Sequence, residues 1–174
     1  YIEYIDKNLS LEREAAKMEN LVIIKSMSKV YALSGARIGY LVAHENTIDK
    51  VASHIPPWSV SLVAQIAGVE ALKDLSYYSK KHKDTHVLRN SMTTELKKNQ
   101  CIKVYNSIAN FFLIELLNKK LKADQIIQEL RKQNIFLRDC TSMSIQFKNN
   151  FIRVAVKDKK TNKIIVEALQ KVLQ

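Results

Sequence analysis

The sequence is poor in the residues that interrupt a chain. It has three glycines, two prolines and one tryptophan in 174 residues, and no stretch reads as a low-complexity linker or an internal repeat. No apolar run is long enough to span a bilayer. The chain opens Tyr1-Ile2-Glu3-Tyr4, without the basic and apolar regions of a signal peptide. Cysteine is scarce too: Cys101 and Cys140 lie far apart without metal-ligand spacing, which points to free thiols in a reducing compartment. His82 and His86 stand four apart on an expected helix with no third ligand nearby, so surface histidines are expected and no metal. No Ser/His/Asp or Cys/His spacing supports a nucleophilic triad. A membrane partner is not expected, and the cytoplasm is the expected location.

What is present is apolar content and positive charge. At 47% hydrophobic, the chain can build one sizeable core or two small ones. The net charge of +11 invites a nucleic-acid reading. Its distribution argues against that: the lysines fall in short groups throughout, Lys80-Lys81-His82-Lys83, Lys97-Lys98, Lys119-Lys120 and Lys157 to Lys160. They do not alternate with aromatics, and no zinc-finger, homeodomain or RNP pattern occurs. Solvated surface charge is the expected reading, with no nucleic-acid partner.

The patterns predict elements in a definite order. Residues 1–6 read as the tail of a strand; a chain that begins so, without methionine, looks like a piece of something longer. Ser10 is placed to cap a short helix running to about Glu19. Strands are predicted at 21–25 and 37–43, a short helical or irregular piece at 30–33, and helices at 44–54, 59–72 and 75–99. Pro56-Pro57 ends the first of these. The helix at 59–72 is apolar nearly all round, so it is expected to be buried or to lie between subunits or domains. The longest helix suits a connector between two lobes. Beyond it, β-branched and aromatic runs predict strands at 101–105, 110–116, 135–139 and 151–156. Amphipathic helices follow at 123–133 and 160–173. That is a small α+β lobe with two helices on one face.

One segment concentrates reactive groups. Lys25-Ser26-Met27-Ser28-Lys29 and Gly35-Ala36-Arg37-Ile38-Gly39-Tyr40 lie between two strands. A lysine that forms a Schiff base with an aldehyde must attack as the neutral amine, so burial and a nearby cation must lower its pKa. Ser26 and Ser28 offer hydroxyl donors to a phosphate, and Arg37 offers a planar fork to the same anion. Gly35 is expected to relieve the backbone before the second strand.

The pattern Ser26-x-Ser28-Lys29-x₅-Gly35-x-Arg37-x-Gly39-Tyr40 resembles the cofactor-lysine signature of fold-type I pyridoxal-phosphate enzymes, the class I/II aminotransferases. That resemblance implies an α/β fold: the carboxy-terminal part of the large pyridoxal-phosphate-binding domain, followed by a small α+β domain. Residues 1–50 would supply strands of the cofactor domain, 51–99 connecting helices and 100–174 the small domain. Lys29 would be the Schiff-base lysine, with Ser26, Ser28 and Arg37 on the phosphate of pyridoxal 5'-phosphate. Tyr1 resembles the tyrosine that bonds the cofactor's phenolic oxygen; as a residue alone it also reads as an aromatic strand position. Arg153, in Phe151-Ile152-Arg153-Val154-Ala155-Val156, resembles the arginine that holds the substrate carboxylate. Alternation alone would put it on the face opposite Ile152 and Val154, toward solvent.

Pro56-Pro57-Trp58-Ser59-Val60 and Leu137-Arg138-Asp139-Cys140 are similar to segments of threonine-phosphate decarboxylases and their histidinol-phosphate aminotransferase relatives, enzymes of cobalamin and histidine biosynthesis. By that similarity Arg138 would contact a substrate phosphate; a partner for Asp139 or a solvated strand-end charge is the plainer reading. The resemblance implies an enzyme portion acting on a phosphorylated amino acid or amine, in a homodimer. Two readings stay beside it: a non-catalytic remnant, or a half-protein that binds no cofactor without a partner.

Overall fold

A computed structural model of the chain describes residues 1–5, 9–118 and 120–174. Asp6, at the end of the first predicted strand, and Lys119 of the Lys119-Lys120 pair lie outside the described residues. The chain divides into two compact units, Tyr1–His82 and Lys83–Gln174.

The first unit is built on an antiparallel pair, β1 (Ile23–Ser26) and β2 (Gly39–Val42), in which Lys25 faces Tyr40 and Ser26 faces Gly39. Before it come a 3-10 turn at Ile2–Tyr4 and a short helix, α1 (Glu12–Ala15). The opening residues therefore do not form the predicted strand. Residues three apart eclipse in a 3-10 turn, which stacks the Tyr1 and Tyr4 rings with centroids 6.5 Å apart and buries Tyr4. Nor does Ser10 cap α1: Leu11 holds the cap position, and the Ser10 hydroxyl accepts a hydrogen bond from Lys25 instead.

Between the strands, α2 (Met27–Val30) begins earlier than predicted because Ser26 caps it. Then follow α3 (Glu45–Ala52), capped by the His44 ring, and α4 (Leu62–Lys73), capped by Ser61. α4 buries only its small residues, Ala64, Gly68 and Ala71; a Cβ on Gly68 would come 2.7 Å from the Ile38 side chain. Its large residues Leu62, Val63, Ile66 and Val69 are exposed within this chain, as is Trp58 ahead of it at 95%. Ile48 and Val51 of α3 are exposed as well.

α5 (Leu75–Leu96) runs across the boundary between the units. The second unit holds an antiparallel sheet in the order β3 (Ile102–Val104), β4 (Phe111–Leu116), β6 (Phe151–Ala155), β5 (Arg138–Asp139). Alternation governs it. Phe112, Ile114, Leu116, Ile152 and Val154 are buried on one face, while Phe111, Leu113, Glu115 and Arg153 are half-buried on the other. The inward face joins Ile126, Ile127 and Leu130 of α6 (Ala123–Arg131) and Ile165, Val166 and Leu169 of α7 (Lys159–Val172) in one core. Each such side chain contributes about 1.5–3 kcal/mol when fully buried. Only two residues of the predicted 135–139 strand pair with β6; Asn134 before it has φ 58° and turns the chain out of α6.

Candidate active site

Ser26 ends β1 in an extended conformation, and its side-chain oxygen accepts the Ser28 amide at 3.3 Å. That is how serine starts a helix: it satisfies one amide that the first turn leaves without a partner. Met27 and Val30, three apart, are buried, which leaves Ser28 half-buried and Lys29 exposed on the outward side of the turn. The burial expected for the Lys29 amine is not supplied by the described residues of this chain. Tyr1, Ser26 and Lys29 line one cleft of about 420 Å³ together with Glu3, Ser10 and Lys25. Ser28 and Arg37 lie outside that lining.

Arg37 sits in the left-handed region at φ 53°, and one guanidinium nitrogen donates to the Ser34 carbonyl at 3.0 Å. Ala32 is left-handed as well, at φ 56°. The turn between the strands is thus made by these two residues, not by Gly35, whose φ is not positive. Gly39 has a separate reason to be glycine: a Cβ there would meet the Lys25 carbonyl oxygen at 2.6 Å across the pair.

One group at this cleft escaped sequence reasoning. The Lys25 ammonium is 2.9 Å from Glu3 and 3.0 Å from Glu12, and it donates to the Ser10 hydroxyl at 3.1 Å. Only 15% of its side chain is exposed. The Tyr40 hydroxyl, on the strand opposite, donates to Glu12 at 2.7 Å. Burial alone would push the lysine pKa down, but the bonds to Glu3 and Glu12 outweigh it and hold the pKa above its ordinary value. Burial would likewise raise both carboxylates, and the bonds from Lys25 and Tyr40 hold them below their ordinary value instead. Burial and the bond to Glu12 push the Tyr40 phenol up. The available signal was that Lys25 and Tyr40 sit at equivalent places on strands joined by one turn. Nothing local pointed to Glu3 or Glu12.

The remaining candidates lie in the second unit. Arg138 and Arg153 are cross-strand partners in the β5–β6 pair. Arg153 lies opposite Ile152 and Val154, as alternation predicts, with its guanidinium 5.1 Å from the centre of the Phe111 ring. Asp139 is not engaged with Arg138; its carboxylate accepts the Thr141 amide at 2.8 Å and the Thr141 hydroxyl at 2.6 Å. The His82 ring packs 4.7 Å from that of Tyr4 and contacts the Val30 carbonyl, and the His86 ring bonds the buried Arg89. These rings are half-buried and bonded rather than lying free on the surface. Among the described residues no group of acidic, histidine or cysteine side chains could hold a metal, and no helix is long and apolar enough to cross a membrane. Both thiols are free, with Cys140 buried.

The family model described as "Aminotransferase class I and II" matches residues 4–169. A histidinol-phosphate aminotransferase of Methanocaldococcus jannaschii is 35% identical over 156 residues, 90% of this chain and 41% of that protein. The crystal structure of a histidinol-phosphate aminotransferase from Clostridium acetobutylicum superposes with a TM-score of 0.87 at 29% identity, over 99% of this chain and 52% of that one. In fold, the L-threonine-O-3-phosphate decarboxylase of Porphyromonas gingivalis is similar as well, with a TM-score of 0.85 at 23% identity over 99% of this chain and 53% of that one. The chain thus spans about half the length of the relatives it matches, in a mixed α/β fold of the fold-type I kind. It belongs to the class I and II aminotransferases.

Proposed function

We propose that this chain is the carboxy-terminal portion of a pyridoxal-phosphate-dependent enzyme acting on a phosphorylated amino acid or amine, like the histidinol-phosphate aminotransferases and threonine-phosphate decarboxylases. The observation that carries the reading is the cleft at the β1–α2 junction, which Tyr1, Ser26 and Lys29 all line. The donors that line it fit the cofactor by chemical type: a hydroxyl for a phosphate, a phenol for a ring oxygen and a primary amine for an aldehyde; Ser28 and Arg37, outside the lining, join the set through the motif.

Lys29 is assigned as the amine that holds the cofactor covalently and carries a proton on Nζ to and from the substrate carbon. Ser26, Ser28 and the remaining N–H donors of Arg37 take the phosphate, and Tyr1 donates to the phenolic oxygen. Arg153 takes a substrate carboxylate and Arg138 a substrate phosphate; their common register on β5–β6 supports a paired grip on a ligand with two anionic groups. When bound, pyridoxal phosphate supplies the electron sink that lets a bond at the substrate carbon break. Residues 1–50 belong to the cofactor domain in this reading, 51–99 to connecting helices and 100–174 to the small domain. A cytoplasmic homodimer completes it; the exposed apolar residues of α4 support association.

The test is reductive trapping. Pyridoxal phosphate is added to the chain, borohydride follows, and the labelled peptide is mapped. Label on Lys29 is expected; label confined to other lysines overturns the assignment. A chain that takes up no label at all favours the non-catalytic remnant.

A further inference from the structure

We propose that Lys25 is the positioning residue of the Lys29 cleft: by drawing Glu3 and Glu12 together it fixes the wall that carries Tyr1. The inference rests on the reading of Lys29 as the cofactor lysine.

A lysine ammonium has three N–H donors, and here Glu3, Glu12 and Ser10 each take one. The two carboxylates come from different segments. Glu3 lies in the 3-10 turn, where the Tyr4 amide donates to the Tyr1 carbonyl and the Ile5 amide to that of Ile2, so Tyr1 moves with Glu3. Glu12 opens α1 and is held from the other side by the Tyr40 hydroxyl on β2. Lys25 stands on β1 directly before Ser26, so the turn and α1 are both referenced to the strand that delivers Lys29. Two like-charged carboxylates this close would repel one another without the ammonium between them.

The same arrangement separates two lysines that border one cleft. An aldehyde is attacked by a neutral amine. The Lys25 amine is committed to carboxylates and held as ammonium, whereas Lys29 is exposed on its turn. Selection of Lys29 over its neighbour is therefore built into the ion cluster as well as into the place of Lys29 on α2.

The experiment uses Lys25→Met, Lys25→Arg and Glu3→Gln. Hydrogen exchange at the Tyr4 and Ile5 amides reports the turn, and exchange at Ile114 and Val154 reports folding of the second unit. Trapping with pyridoxal phosphate and borohydride reports the cleft. Lys25→Met is expected to speed exchange at Tyr4 and Ile5 by about tenfold, leave Ile114 and Val154 unchanged and lower the yield at Lys29. Lys25→Arg, which keeps a cation with several donors, is expected to restore both. Glu3→Gln, the milder change, is expected to shift part of the label to Lys25. Unchanged exchange at Tyr4 and Ile5 in Lys25→Met, or an undiminished yield at Lys29, overturns the proposal. An unsubstituted chain that takes no label at Lys29 while the exchange effects hold overturns the cofactor reading and upholds the grip of Lys25 on the turn.

Discussion

Arg138 and Arg153 stand directly opposite one another on β5 and β6, one cation facing another across an antiparallel pair. Like charges so placed are destabilising, by an amount in the range of about 0.2–1 kcal/mol typical of cross-strand pairs. Arg153 has some compensation from the Phe111 ring beneath it. Arg138, more exposed, has no comparable ring contact among the described residues. Such a pair is suited to an anion. Arg138→Gln is expected to stabilise the second unit by about 0.2–1 kcal/mol at low ionic strength, and the gain shrinks as salt screens the repulsion. Urea denaturation checks both. Added phosphate should stabilise the unsubstituted chain more than the variant, and a variant less stable than its parent would contradict the repulsion.

Asn162 is a second point of leverage. It is buried at 4% exposure near the start of α7; its carbonyl accepts the Lys157 amide and its amide donates to the Lys157 carbonyl, both at 2.8 Å. One side chain thus closes both backbone groups of the residue that leaves β6. Asn162→Leu removes both partners; Lys157 itself is exposed, so water can take up its freed groups, and the loss is expected to be about 0.5–1.5 kcal/mol per bond. Asn162→Asp keeps the acceptor and loses the donor, so its loss should fall between parent and leucine. Denaturant midpoints followed by circular dichroism give the order.

The Lys25 cluster predicts how the first unit responds to pH. Glu3 and Glu12 are held below their ordinary 4.5, so their contribution is complete above that value and is lost as pH falls through the lowered ones. Lys25 is held above its ordinary 10.5, so its contribution is complete below that value and is lost as pH rises through the raised one. Protection of the Tyr4 and Ile5 amides should therefore hold level between these edges and fall beyond each. In Lys25→Met both falls should flatten. A profile in the variant that matches the parent would show that other groups set the edges.

The second unit was largely legible because its sheet and helices obey local rules. Phe111 to Leu116 alternates strictly, and the stripes of α6 and α7 keep helical period, so one face of each had to be covered. The strand before the serine–lysine junction was legible from its apolar run, but the cap was not: the helical piece was expected at 30–33, and Ser26 starts it at Met27. What failed were features set at a distance. Tyr4 is drawn into a buried contact with His82, which turns the opening residues away from a strand. Ser10 is taken from its helix by Lys25. The apolar circumference of α4 was plain, but this chain covers only the narrow side carrying Ala64, Gly68 and Ala71. Of the candidate site, Tyr1, Ser26, Lys29, Arg138 and Arg153 were named from motif residues, while the shared cleft and the cross-strand pairing of the arginines come from the fold. Glu3, Glu12 and Tyr40 were not so named, because their meeting at Lys25 depends on three separate segments folding onto one strand.

Gly35 has nothing within 4 Å of where a side chain would begin, and its backbone is not left-handed. Replacing such a glycine by alanine stabilises a chain by about 0.4–1 kcal/mol through its unfolded state. The position is therefore an opening for protein engineering: a cysteine there can carry a fluorophore or spin label two residues from Arg37 without disturbing the pairing of β1 with β2. A fixed point for optical or magnetic readout of the cleft is available inside the motif itself.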